Sequence, residues 1–224
     1  MNQPMPFHHP IVIEPPDAPE YLSHMGITVP DVTSAIQAGD ISARNMTTHH
    51  PVTAAGLMRW IYVVGTMRER LAVTKLWVGD DPKNRPISQR TDGSYTLSVV
   101  GGNEITGVID NLRGPSAARR RGKATEEAVN DMVPLITVQA LRGGTRADES
   151  DVRKQPPQGP WFLVYHRDTN AVRMEISLPL GFEDGQFTGW NVRVILDEWR
   201  PDSDSARPRD VGGQDVNFKV VEVG

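Results

Sequence analysis

The sequence predicts an α+β fold: an antiparallel sheet of two meanders packed against a long central helix, with an extended Pro-rich N-terminal arm. Three observations predict it. Residues 51–72 place Ala54, Leu57, Ile61, Val64 and Leu71 at helical spacing. Short segments such as Tyr95 to Val100 and Ala171 to Leu178 alternate apolar and polar residues between turn signals, which is strand behaviour. Pro4, Pro6, Pro10, Pro15, Pro16, Pro19 and Pro30 fill the first thirty residues. Proline has no N–H to donate and disfavours helix at the residue before it, so an extended arm is expected there.

Composition bounds what such a fold does. The chain has 224 residues, 38% of them apolar and 23% charged, enough for a real core but with part of the chain outside it. There is no cysteine, which removes disulfides, thiolate nucleophiles and Cys-ligated metals. No apolar run approaches the roughly 18 residues that span a bilayer, and the opening MNQPMPFHHP lacks the charged-then-apolar order of a signal peptide. A cytoplasmic protein with no membrane partner is expected. The net charge of −4 gives no global attraction to nucleic acid, so any such contact must be local.

The elements follow in order. Residues 1–29 form the arm, in which Ile11 to Glu14 has the β-branched content of a short edge strand. Residues 30–141 supply a helix, a meander and a second helix. A short helix starts near Pro30 behind Thr28 or Val29 and ends at Gly39. The central helix, capped by Thr48, buries Leu57, Ile61 and Val64 and turns Arg59 and Arg70 to the opposite face. Strands follow at Leu76 to Val78, Pro86 to Arg90, Tyr95 to Val100 and Glu104 to Ile109, with Asp92-Gly93 as a type I′ turn. Ala124 to Met132 is helical, with Thr125 as its cap and Glu126 and Glu127 in the first turn. Val133 to Leu141 reads equally as helix or strand. Residues 142–160 are rich in Gly, Pro and charge and read as a linker or mobile loop. Residues 161–224 complete the same domain with antiparallel strands at Trp161 to Arg167, Ala171 to Leu178 and Trp190 to Trp199, and a last one at Phe218 to Val223. Arg173, Glu175 and Ser177 alternate with Val172, Met174, Ile176 and Leu178, which predicts a sheet covered on one face only.

Two groups of residues are candidates for contact with a ligand. Arg119, Arg120, Arg121 and Lys123, with Arg113 nearby, could clamp phosphates, because guanidinium forks match phosphate oxygens. A solvated loop explains the same run, and no aromatic residue interleaves with it for base stacking. Gly101, Gly102, Asn103 and Glu104 form the best ligand loop, since glycines admit close backbone approach. A tight hairpin turn accounts for them too. His8-His9 and His49-His50 invite a metal, but adjacent histidines seldom aim at one ion and nothing like HExxH is present, so no metal and no cofactor is assigned. No GxSxG and no acidic pair followed by a strand lysine is found, and no catalytic residue is named.

At Gly122 to Asn130, and again at Glu175 to Pro179 and Gly189 to Leu196, the chain resembles a bacterial family of uncharacterised proteins associated with mobile elements and defence loci. The resemblance implies a bacterial origin and an accessory role, attaches no activity and carries over no catalytic residue. The expected function is a non-enzymatic binding or assembly component of a larger complex, with a protein partner and contact to nucleic acid through the Arg-rich loop. The alternative is a metal-dependent hydrolase or nuclease using Glu104, Asp110 and His49 or His50. Oligomeric state is not readable from the sequence.

Overall fold

The computed structural model describes residues 9–131 and 149–201. The expected elements at Val133 to Leu141 and Phe218 to Val223, and His8, lie outside the described residues. The fold is α+β, built on one seven-stranded sheet. In chain order the elements are β1 (Ile11–Ile13), α1 (Ala18–Ser23), α2 (Val29–Arg44), α3 (Ala54–Val73), β2 (Trp77–Asp80), β3 (Ile87–Arg90), β4 (Tyr95–Gly101), α4 (Lys123–Asn130), α5 (Glu149–Lys154), β5 (Gly159–Arg167), β6 (Val172–Glu183) and β7 (Gln186–Trp199).

The sheet order is β1-β7-β6-β5-β4-β3-β2. It is mixed rather than two antiparallel meanders, because β1 runs parallel to β7 and β4 parallel to β5. A parallel neighbour cannot be reached by a hairpin, so the chain between β4 and β5 must cross a face of the sheet. Glu104 to Ile109 is the start of that crossing, a succession of turns and not a strand. The expected 142–160 loop contains α5 at its end.

The Pro-rich arm is also corrected. Ile11 to Ile13 pairs with Val192 to Val194, and Ile13, Ala18, Tyr21 and Leu22 are buried. Pro19 falls in the first turn of α1, where the missing N–H is not needed. β-branched content at Ile11 to Ile13 outweighed the proline count.

Two helices, not one central helix, cover the first face of the sheet. Thr28 caps α2 by accepting from the Asp31 N–H, and the helix continues through Gly39 to Arg44. Gly39 is needed for contact, not termination: a Cβ there would meet Val63 Cγ2 at 2.5 Å and the Arg59 carbonyl at 2.8 Å. α3 forms where the periodicity places it, but starts at Ala54 behind Thr53, with no side-chain cap. Its buried face is Val63, Met67 and Leu71, while Leu57 and Ile61 are 48% and 43% exposed. The broad apolar composition of this helix, with Met58, Trp60 and Tyr62 available, allowed more than one face to be read as the core.

The second face is covered too, by the 102–118 crossing and α4. Val100, Ala117, Val129, Phe162, Val164, Phe182, Phe187 and Trp190 form its core. Glu175 and Ser177 therefore do not face solvent; both are fully buried, as is Arg193. Arg193 donates from Nε and Nη2 to the two Glu175 oxygens at 3.0 and 2.5 Å, and from Nη1 to the carbonyls of Val108 and Asn111. Ser177 Oγ and the Gly107 N–H complete the carboxylate's shell at 2.7 and 2.9 Å. Every oxygen of the pair is satisfied, the condition under which a buried ion pair is tolerated. The network pins the crossing onto the sheet.

The tight type I′ turn lies at Asp184-Gly185, joining β6 and β7, where φ is +51° and +77°. At Asp92-Gly93 only Gly93 has positive φ, within a longer β3–β4 connection in which Asp92 accepts from the Ser94 N–H.

Candidate functional site

The Arg-rich segment is held at fixed points. Ala118 N–H donates to the Gly101 carbonyl at 2.9 Å, and Ala117 exchanges hydrogen bonds with the Gln186 side chain, both at 3.0 Å. Arg121 N–H then donates to the carbonyl of Gly185 at 3.0 Å, so the run is moored on the β6–β7 turn. Gly185 has positive φ and so little room that a Cβ would lie 3.0 Å from Arg120 Cβ. From this mooring Arg113, Arg119, Arg120 and Lys123 are exposed. Arg121 turns inward.

Arg121 enters a cleft where β4 outruns its neighbour. β3 pairs with β4 only as far as Ser98, so beyond it Val99 has no strand neighbour on that side and Gly101 is met by Ala118 of the crossing. Trp60 of α3 fills part of the gap and donates Nε1–H to the Val99 carbonyl at 3.1 Å. The cleft beside it is lined by Arg85, Ser98, Arg121, Thr125 and Phe162. Arg85 Nη1 donates to Ser98 Oγ at 2.9 Å. Lys83 pairs with Glu127 of α4, which ties the far wall to the β2–β3 connection. Burial lowers the pKa of the Arg85 guanidinium. It does the same to Arg121, with Arg119 adding to the effect and Tyr165 opposing it. Arg121 Nε is buried without a hydrogen-bond partner among the described residues.

A second arginine group gathers around Asp40. Asp40 on α2 is fully buried and meets three arginines: Arg44 at 2.6 Å, Arg167 at 3.0 Å and Arg59 at 3.5 Å. Burial lowers the Arg59 pKa, opposed by Asp40 and Tyr165. Arg59 thus faces Asp40 and not solvent as expected. Arg59 and Arg121 both lie within electrostatic range of the buried Tyr165.

No family model, curated protein or solved structure matches this chain.

The remaining sequence candidates serve the fold. Gly102 N–H donates to the Tyr165 carbonyl, and a Cβ on Gly102 would lie 2.3 Å from Thr106 Oγ1 and 2.5 Å from Val164 Cγ1. Asn103 Oδ1 accepts from the Ser116 N–H, holding the crossing's two ends together. Gly101 ends β4, and Glu104 is exposed, its carbonyl taken by Arg173. His49 and His50 are exposed in the α2–α3 connection, where His50 Nδ1 accepts from the Thr47 N–H. Among the described residues no three His, Asp or Glu side chains come together in metal-holding geometry, so Glu104, Asp110, His49 and His50 do not assemble the hydrolase set. No described helix is long and apolar enough to cross a membrane.

Sequence reasoning missed Arg85 and Ser98 as neighbours of Arg121, and the gathering of Arg59 and Arg167 around Asp40. Asp40 and Arg44 carried a visible signal, an acid four residues before a base on one helix. Arg85 had none, because its position depends on where β3 stops.

Proposed function

We propose that this protein is a non-enzymatic binding component of a larger bacterial assembly that contacts nucleic acid through its Arg-rich surface. One observation carries the reading. Arg113, Arg119, Arg120 and Lys123 are exposed on a segment moored to Gly101, Gln186 and Gly185, so a solvated, freely moving loop is a poor description of them. Cations held on a fixed backbone lose less entropy on binding phosphates than cations on a mobile one. A net charge of −4 does not oppose this, because screening limits the field of distant carboxylates to about a Debye length of 8–10 Å.

The reading supplies affinity without sequence preference, since phosphate contacts position a protein and base contacts specify. It is tested by duplex DNA and RNA binding across a salt series. Four phosphate contacts give a slope of log affinity against log salt of roughly −3 to −4. Alanine at Arg113, Arg119, Arg120 and Lys123 together flattens the slope and leaves melting nearly unchanged, because exposed charges stabilise little. Absence of salt-dependent binding by the native chain at about 50 mM salt removes the nucleic-acid reading.

A further inference from the structure

We infer that the cleft between β3, β4 and α4 is a binding site for one terminal phosphate group, inorganic phosphate or a phosphomonoester, held by Arg85 and Arg121. The inference goes beyond the nucleic-acid reading and can stand without it, because its residues are inward-facing and distinct from the exposed cations named there.

The argument begins with charge. Two half-buried guanidiniums line one cleft, and no carboxylate among the described residues pairs with either. Elsewhere in this chain buried arginines are matched: Arg193 has Glu175, and Arg59 and Arg167 share Asp40. Burying a cation without a counterion is costly, and here burial depresses both arginine pKa values with no carboxylate to restore them. A bound oxyanion removes that cost at both groups together.

The second step is hydrogen bonding. Arg121 Nε is buried and unpartnered, and a guanidinium presents five donors in a fork shaped for phosphate oxygens. Arg85 spends one donor on Ser98 Oγ, which fixes its orientation at the cleft and leaves the others available. Thr125, in the first turn of α4, also lines the cleft, and the N-cap of that helix, Gly122, makes no side-chain cap bond.

The third step is size. The enclosed part of the cleft has room for roughly one or two water molecules. That admits the oxygens of a terminal phosphate, with the rest of the ligand in solvent. It does not admit a diester flanked on both sides by chain, nor a nucleobase. Trp60 and Phe162 form the apolar wall that limits entry.

The test uses the full chain. Inorganic phosphate is titrated at constant ionic strength against chloride, read by thermal melting and by phosphorus NMR linewidth. The native chain is stabilised saturably. Arg85→Gln and Arg121→Gln each weaken phosphate binding by at least about tenfold, since a hydrogen bond to a charged group contributes about 1.5–3 kcal/mol. Arg121→Gln melts no lower than the native chain without phosphate, because it removes a partly buried cation that has no carboxylate partner among the described residues, whereas Arg85→Gln also gives up the bond to Ser98 Oγ; the Arg121 variant separates lost binding from lost fold. Arg121→Lys recovers binding only in part, as a point charge lacks the fork. In competition, a 5′-phosphorylated oligonucleotide displaces inorganic phosphate and its unphosphorylated counterpart does not. If inorganic phosphate binds and neither oligonucleotide competes, the ligand is free phosphate or a small phosphomonoester. No saturable response, full binding by the Arg85→Gln/Arg121→Gln chain, or equal competition by both oligonucleotides overturns the inference. Loss of the DNA salt slope in the exposed-cation variant leaves phosphate binding intact, so the two readings fail separately.

Discussion

Replacing Glu175 by alanine tests the buried network on which the second face depends. Arg193 is fully buried and gives two of its donors to Glu175, so the substitution strands a guanidinium in the core with only the Val108 and Asn111 carbonyls for company. Breaking a buried pair in this way costs about 3–5 kcal/mol. The Gly107 N–H and Ser177 hydroxyl lose their acceptor as well, each a group whose burial unpaired costs about 1–3 kcal/mol. These contributions overlap, and about 4–5 kcal/mol is the expected loss by urea unfolding, a large part of the 5–15 kcal/mol that folds a typical domain. Arg193→Met in the Glu175→Ala background removes the stranded charge and recovers part of the loss, giving a double-mutant coupling of about 2 kcal/mol or more. Amide exchange at Gly107 rises in the single variant, because its N–H loses the carboxylate that accepts from it. A Glu175→Ala chain within about 1 kcal/mol of the native one refutes the reasoning, since only a solvent-exposed pair is lost so cheaply.

Other substitutions separate neighbouring readings. Ile61→Asp on the exposed side of α3 changes stability by less than about 1 kcal/mol, while Val63→Asp, fully buried, costs more than about 4 kcal/mol; equal effects in thermal melts reject the helix orientation. Removing residues 1–20 deletes β1 and buried Ile13 and Ala18, a loss of about 3 kcal/mol or more, and lowers the melting temperature by roughly 6–12 °C. An unchanged melt after that truncation shows β1 to be dispensable. Gly39→Val forces α2 from α3 and costs at least about 1–3 kcal/mol in denaturant titration.

What the sequence made legible is what depends on local pattern. Residues 51–72 read as a helix and became α3, and the three C-terminal strands lie where alternation puts them. Direction and partner were legible where a short turn joins two strands, as between β3 and β4 and between β5 and β6, but not across the long connections. Tyr95 to Val100 looks the same whether the next strand runs parallel or antiparallel, and only the pairing of Val99 with Leu163 decides it. Alternation also misled at Glu175 and Ser177: polar residues normally mark a solvent face, and nothing local announces that Arg193, 18 residues on, will neutralise the carboxylate. The Arg-rich run was visible as charge. Its division into exposed Arg119, Arg120 and Lys123 and inward Arg121 follows from the anchor at Gly185, a contact across 64 residues that no short window contains.

The same topological fact that spoils the meander builds the candidate site. Because β4 and β5 are parallel, the chain must leave Gly101, cross the second face and return to Gly159. That detour carries Arg113 to Lys123 over the sheet and sets α4 beside the open end of β4. The cleft needs a gap in the sheet edge, and β3 provides it by pairing only through Ser98. Arg85 stands just before that strand, at the rim of the gap, and Arg121 arrives from the crossing on the opposite wall. Had residues 104–109 formed the expected strand after β4, a hairpin would have used the crossing's first residues and left no route for these two arginines to meet. Thus the end of β4, where Trp60 takes the Val99 carbonyl and the Ala118 N–H takes the Gly101 carbonyl in place of a β3 neighbour, is the feature on which the site depends.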